Sequence, residues 1–290
     1  MSVSVLVLIS ATVVLALAQV PWGPGTHIQL TVELVERLRR KRTHNAAQKL
    51  ALRYPQPFLY GNIAADIINF KSYGGMKNHC HNWNIHERLD GFAENASAHA
   101  FILGYLCHLS ADVVAHNHFV PYHIVYNFPP RILGHPYWEA MADSKVSDTE
   151  WHAIDRLTKN TEIHAFDHLV HRAVKWKALG LRSNKWIFNN ILLINCRQRW
   201  REMIRVMESS AKRHPLDEAF YLQCRRESLR RMLAVFHMRR LALLKVSDPT
   251  GKAALQGAAR LRRELLRDFG QRSKARTVAR HLAREAYGKL

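Results

Sequence analysis

His108, Asp112 and His116 stand four residues apart in the segment GYLCHLSADVVAHNHF, which is otherwise mostly apolar. In an α-helix each such step turns the face by about 40°, so the three side chains form one stripe. A carboxylate and two imidazoles are costly to bury in an apolar helix unless partners satisfy them. A divalent metal satisfies all three at once, through the nitrogen and oxygen donors that zinc takes. A lone buried histidine is more often a hydrogen-bonded core residue than a ligand. Three such residues in register point instead to a metal.

A second pair, His135 and Glu139, repeats the i, i+4 spacing after Pro129-Pro130, so both side chains can reach one ion. His27 and Asp66 add one donor each, and the loop around HCHNW offers His79, His81 and His86. The four cysteines, Cys80, Cys107, Cys196 and Cys224, include no CxxC pair, so zinc ligation by cysteine is not expected. They are either disulfide-bonded, in one of three pairings, or unpaired buried thiols.

These donors need elements to hold them. Leu30, Leu34, Val35 and Leu38 recur at helical spacing, predicting an amphipathic helix with Thr26 as its cap. A second helical stretch, 46–52, stops at Pro55 and Pro57, and a third covers 62–70 until Gly74-Gly75. From Ala96 to about Val120 apolar residues occupy nearly every face, as in a central buried helix that ends before Pro121. Pro136 sits where a helix carrying Tyr137 to Met141 can begin. From Ser147 onward helical patterns alternate with breaks at Gly180, Pro215, Asp248-Pro249 and Gly251. With no period-two strand and no repeat, the expected fold is an all-α helical bundle. Donating inward-facing His and acidic residues to a shared core site is an established use of that architecture.

Val3 to Ala18 is an uncharged apolar run ending in Ala16-Leu17-Ala18, the small-x-small pattern of a cleaved secretory signal. The run is shorter than the roughly 20 residues that span a bilayer. Residues 1–18 are therefore expected to be a signal peptide, and the protein exported to the periplasm or secreted. A hydrophobic content of 48% over 290 residues excludes a disordered or fibrous chain. The net charge of +20 predicts attraction to anionic ligands, whether phospholipid head groups at a membrane surface or nucleic acid. The charge loads the second half, at Arg225-Arg226, Arg230-Arg231, Arg239-Arg240 and Arg260 to Arg267, while the histidines crowd the first. Such runs are also what solvated helix faces look like.

Taken in order, Trp22, His27, Asp66, a histidine of HCHNW, His108-x-x-x-Asp112-x-x-x-His116 and His135-x-x-x-Glu139 resemble the zinc-dependent phospholipase C family, the phospholipase C/D domain. WGPGTHIQL, FLYGNIAADI, HCHNW and GYLCHLSADVVAHNHFVPY resemble its exported bacterial branch in particular. The resemblance covers roughly residues 22–145, which suggests a zinc-dependent domain over 19–145. Residues 146–290 would then be a basic helical region, separate or part of the same domain.

The resemblance implies a bundle of the phospholipase C and P1 nuclease type, with additional C-terminal helices and two or three zinc ions. Asp66, His81, His108 and Asp112 would surround one zinc. Asp112 would be shared with a second, completed by His27 and the backbone of Trp22. His116, His135 and Glu139 would hold the third. In the secreted members the tryptophan is the mature N-terminus, whereas cleavage after Ala18 leaves Gln19-Val20-Pro21 ahead of Trp22. Some members place the late histidine six residues after the aspartate, which would select His118. No proline lies between Asp112 and His118, so an unbroken helix favours His116. His81 is preferred over His79 and His86 by motif alignment.

The reaction implied is attack of a zinc-activated water on a phospholipid phosphodiester, of the phospholipase C type. Asp66 is then either the catalytic carboxylate that accepts or orients the water's proton, or purely a ligand. The rival readings are an S1/P1-type nuclease, which a basic surface would suit, and a non-catalytic zinc-containing protein that binds membrane or nucleic acid. In the last case the zinc sites would be closed by protein ligands.

Overall fold

Pro55 and Pro57, expected to stop a helix, instead begin one, because a proline in the first turn has no amide to lose. A computed structural model describes residues 22–68, 75, 79–128, 134–187, 215–270 and 273–290. The expected signal peptide, Phe70, Gly74, Pro129-Pro130 and Cys196 lie outside the described residues. Helix α1 spans Pro24–Arg39, α2 Ala46–Arg53 and α3 Pro55–Ala64, the last running into a 3₁₀ turn at Ala65–Ile67. The third helix thus starts and ends earlier than its apolar pattern suggested. Asn45 and Gln48 form a reciprocal capping box at the start of α2.

Thr26 does not cap α1. Gly23 takes that position, and Thr26 lies within the first turn, where its hydroxyl and amide reach Asp143 Oδ1 at 2.6 and 2.8 Å. The Gly25 amide donates to Asp143 Oδ2 at 3.1 Å. A carboxylate from elsewhere in the chain therefore satisfies amides that a helix start leaves open, and fixes the position of His27 one residue on.

Helix α4 covers Trp83–Asp90, and the central helix begins with α5, Ala96–Val114, capped by Asn95. It does not end before Pro121. A π-helical turn at Ala115–Phe119 leads directly into α6, Val120–Tyr126. There the Val120 amide reaches the Ala115 carbonyl, five residues back. A widened turn of this kind relieves the clash between a proline ring and the carbonyl of the preceding turn. The whole run, 96–126, is long and apolar enough to cross a membrane, but 89% of its most apolar window is buried by the protein's own side chains.

Helices α3 and α5 touch through their backbones. A Cβ placed on Gly104 would lie 2.0 Å from the Phe58 carbonyl oxygen, and one on Gly61 would lie 1.9 Å from that of Phe101. This contact carries Asn62 and Asp66 up against His108.

The remaining described helices are α7 His135–Asp143, α8 Asp148–Lys159, α9 Asp167–Ala173, α10 Leu181–Ile187, α11 Glu218–Val235, α12 Met238–Leu244, α13 Lys252–Phe269 and α14 Ser273–Tyr287. The expected breaks at Gly180, Pro215 and 248–251 all fall between helices, and there is no strand among the described residues. Helix α11 packs along α5, while α13 and α14 flank α6. Trp22 stacks on Phe119 at 4.4 Å between ring centroids and meets Tyr221 of α11 at 6.3 Å. The first described residue and the C-terminal helices therefore share one apolar core. Tyr60, Asp167 and Lys185 form a hydrogen-bonded triad that ties α3 to α9 and α10.

Gly104→Ala is expected to cost about 3 kcal/mol in urea unfolding, the upper end of overpacking penalties. Gly91→Ala, where the added Cβ meets nothing closer than 3.6 Å, serves as the control. Equal stability of the two variants would show that the α3–α5 crossing has room to spare.

Candidate metal centre

Four elements deliver the first cluster: α1 brings His27, the 3₁₀ turn brings Asp66, the segment before α4 brings His81, and α5 brings His108 and Asp112. Each of these five side chains is at most 3% exposed. Asp112 is the hub. Its Oδ1 lies 3.2 Å from His27 Nε2, and its Oδ2 lies 3.1 Å from both His81 Nε2 and His108 Nε2. Asp66 Oδ1 is 3.3 Å from His81 Nε2. Two overlapping trios result, His27–Asp66–His108 and His81–His108–Asp112, with donor atoms in each lying within 4.8 Å of one another.

The surroundings orient these rings. His108 Nδ1 lies 2.8 Å from the Asn62 carbonyl oxygen, and His27 Nδ1 lies 3.0 Å from the Asn62 side-chain oxygen. The Asn62 amide donates to the Thr31 hydroxyl, which in turn donates to the His27 carbonyl at 2.7 Å. Carbonyl oxygens only accept, so both imidazoles carry a proton on Nδ1, and a neutral ring then aims its Nε2 lone pair at the cluster. Burial pushes the His108 pKa down against the pull of Asp112, with His27 adding to the fall. Burial alone would raise Asp112, but His108 above all, with the His27 and His81 rings beside it, holds it well below the usual carboxylate range.

The donor set calls for a cation. His81 Nε2 and His108 Nε2 approach to 2.9 Å, a distance at which two lone pairs repel unless a proton or a metal lies between them. Neither oxygen of Asp112, nor His27 Nε2, meets a hydrogen-bond donor in good geometry. Buried imidazole nitrogens and carboxylate oxygens converging without such partners fit zinc.

A second group lies beside the first. His116 joins His135 and Glu139 in a trio of the same compactness. His135 Nε2 is 2.6 Å from Glu139 Oε1, and the His116 and His135 rings meet edge to face at 5.0 Å. The His81 and His116 ring centroids are 6.3 Å apart. The three residues of the central stripe therefore do not meet at one point, because the π turn begins at Ala115 and interrupts the regular helix between Asp112 and His116.

His116 is set by the C-terminal half. Its Nδ1 lies 2.5 Å from the Pro249 carbonyl oxygen. Gly251, at φ +56°, passes so close that a Cβ would sit 2.3 Å from His116 Cβ, and the left-handed backbone also favours glycine there.

The other candidate histidines make different contacts, although His79 stays close to Cys80 and His81. His118 Nδ1 is 3.2 Å from the Tyr287 carbonyl, against α14. His79 Nδ1 accepts the His81 amide at 3.1 Å and so shapes the loop. His86 lines a groove with Phe236. Cys80 Sγ approaches His81 Nδ1 at 3.2 Å, and the Cys80 carbonyl accepts the Tyr105 hydroxyl. Cys80, Cys107 and Cys224 are buried free thiols, and burial raises the Cys107 and Cys224 pKa values. The Trp22 ring is fully buried in the core and offers the clusters no ligand atom. Of the expected ligands, His135 alone meets solvent to a substantial degree, at 22% exposure, so the centre opens on its side.

Asn62, Pro249 and Asp143 were missed by sequence reasoning. A buried asparagine four residues before Asp66 was the one available signal, since carbonyl contacts leave no trace in residue type. Asn62→Leu is expected to keep the helical circular dichroism but weaken zinc binding about 10- to 100-fold in chelator competition. Unchanged affinity would show that Asn62 does not orient the ligands.

No curated protein and no solved structure matches the chain. A family profile does match, described as zinc dependent phospholipase C, over residues 26–190. That span runs past residue 145, where the recognisable motifs fade, and it holds every expected ligand except Trp22. The family and the convergent clusters together support a zinc-dependent hydrolase. With more than half of its length inside the match, this chain belongs to the zinc-dependent phospholipase C family.

Proposed function

We propose that the protein is a zinc-dependent phosphodiesterase that cleaves phospholipids in the phospholipase C manner. The observation that carries this reading is Asp112, whose two oxygens face different imidazoles, with a further trio alongside. A carboxylate so placed suits a bridge between two ions. In the proposed assignment Asp66, His81, His108 and Asp112 hold one zinc. Asp112 shares a second with His27 and the Trp22 backbone, and His116, His135 and Glu139 hold a third. Zinc bound there lowers the pKa of water towards neutrality and draws charge from phosphoryl oxygens.

The chain's own residues do the rest. Asn62 and Pro249 fix the imidazoles, so no reorientation is needed when charge develops. Asp66 stands at the edge of the cluster on a short turn, one oxygen near His81. It is the carboxylate proposed to accept or orient the water's proton. The phosphodiester enters beside His135, and the net charge of +20 favours an anionic substrate and an anionic membrane surface.

Zinc-loaded protein is expected to release phosphorylated head group from phosphatidylcholine vesicles. Asp66→Asn should retain zinc while losing about 10²- to 10⁴-fold in turnover. Loss of zinc in step with activity would reduce Asp66 to a ligand. Zinc-loaded protein that leaves phospholipid intact and digests single-stranded DNA would overturn the substrate assignment.

Export remains part of the proposal, on the apolar run and the Ala16-Leu17-Ala18 boundary. Mass spectrometry of the exported chain is expected to find Gln19 at its N-terminus, and trimming to Trp22 should raise the zinc content by freeing the Trp22 amine. An intact Met1 would refute the signal peptide.

A further inference from the structure

Behind the metal centre a groove of about 980 Å³ runs between α2, α5 and the bend from α11 into α12. Ile102, Leu103 and Leu106 form its floor, each separated from His108 by about 120° to 160° around α5. It therefore opens on the side of the central helix away from the ligands. Leu50 forms one wall, with Phe236 and Leu241 on the other. The volume lies in the range of small-molecule sites, about 300–1,000 Å³, and such sites are mostly apolar with few polar groups.

The polar side chains there are two arginines, three histidines, Asn45 and a single carboxylate, Asp90. Arg239 and Arg240 stand exposed on the rim, and neither has a carboxylate partner among the described residues. Asp90 faces His99, also in the lining, at 3.4 Å, and Glu87 close by pairs with Lys245 at 3.1 Å, so both carboxylates are engaged away from the two arginines. His86 lines the groove with a buried Nδ1 that has no hydrogen-bond partner. Burial, aided by the Lys245 charge, lowers its pKa to about 4, so the ring is a neutral polar contact. The Asn45 amide is already spent on the Phe236 carbonyl at 2.8 Å. A peptide would bring backbone amides into this groove with little to receive them, at a desolvation cost. A hydrocarbon chain brings none.

We propose that this groove binds one long-chain acyl amphiphile with an anionic head, the chain along Leu103 and Phe236 and the head at Arg239 and Arg240. The site is separate from the metal centre. A failure of the phosphodiesterase reading would leave it standing, and an Asp66→Asn protein should bind the amphiphile as the wild type does.

The test uses zinc-loaded full-length protein and the fluorescent fatty acid 11-(dansylamino)undecanoic acid. Saturable one-to-one binding is expected, with displacement by palmitate. Displacement by uncharged hexadecanol should need about tenfold more, the loss of one charge-assisted contact. Leu103→Trp, which fills the groove, should abolish binding. The exposed double substitution Arg239→Ala with Arg240→Ala, which leaves the core untouched, should weaken it about tenfold. Absence of saturable binding, or binding unchanged in both variants, would overturn the proposal. So would association with phosphatidylglycerol vesicles but not with monomeric fatty acid. A wild-type dimer in sedimentation that Leu103→Trp dissolves would give the groove to a second copy of the chain.

Discussion

A carboxylate with no exposed surface, Asp112, sits in a long apolar run of helix, the most apolar among the described residues, and much of the architecture answers its charge. Moving such a group out of water is tolerable only with close compensation. The groups around it are three imidazoles, of which His27 and His108 have their outer nitrogens held by Asn62 oxygens, plus a second buried carboxylate, Asp66. Neutral rings supply lone pairs but no counter-charge. Protons or metal must balance the cluster, and metal does so without disturbing the Nδ1 contacts. Metal binding and folding are therefore linked, because ions that bind only the assembled cluster add their binding free energy to its stability.

That requirement explains two irregular features. Glycines at 61 and 104 let α3 and α5 approach until backbone meets backbone, which brings the Asn62 carbonyl within 2.8 Å of His108. Any side chain there would separate the asparagine from both rings it holds. The π turn then divides one helix between two clusters. Asp112 lies before the turn and faces His27, His81 and His108, while His116 lies within it and turns to His135 and Glu139. A regular helix would keep His116 on the stripe.

Much of this was legible in residue spacing. His108 and Asp112, His135 and Glu139 each sit one helical turn apart, and the breaks at Gly180, Pro215 and 248–251 mark real helix ends. Other features depended on tertiary context. Pro55 and Pro121 read as stops, yet one starts a helix and the other follows a widened turn, and proline's local rule does not distinguish these cases. Thr26 has the residue type of a cap, but Asp143, distant in sequence, claims its hydroxyl. The choice of His116 over His118 as partner of His135 rests on which segment each ring meets, the Pro249 loop in one case and the end of α14 at Tyr287 in the other.

Those two contacts also bear on the basic C-terminal half. Helices α11 to α14 lie beyond the family match, which ends at residue 190, yet they are not a passive addition. The loop between α12 and α13 supplies the carbonyl that fixes His116, and Trp83 Nε1 bonds the Ser247 carbonyl in the same loop at 2.7 Å. Part of the basic charge is spent internally, as Arg225 on Glu33 and Arg230 with Arg231 on Glu227. With 43 Lys and Arg against 23 Asp and Glu, such pairs leave a large excess. Most of the excess positive charge and the local orientation of His116 thus come from the same half of the chain. A substitution there can alter the second cluster without touching any of its ligands.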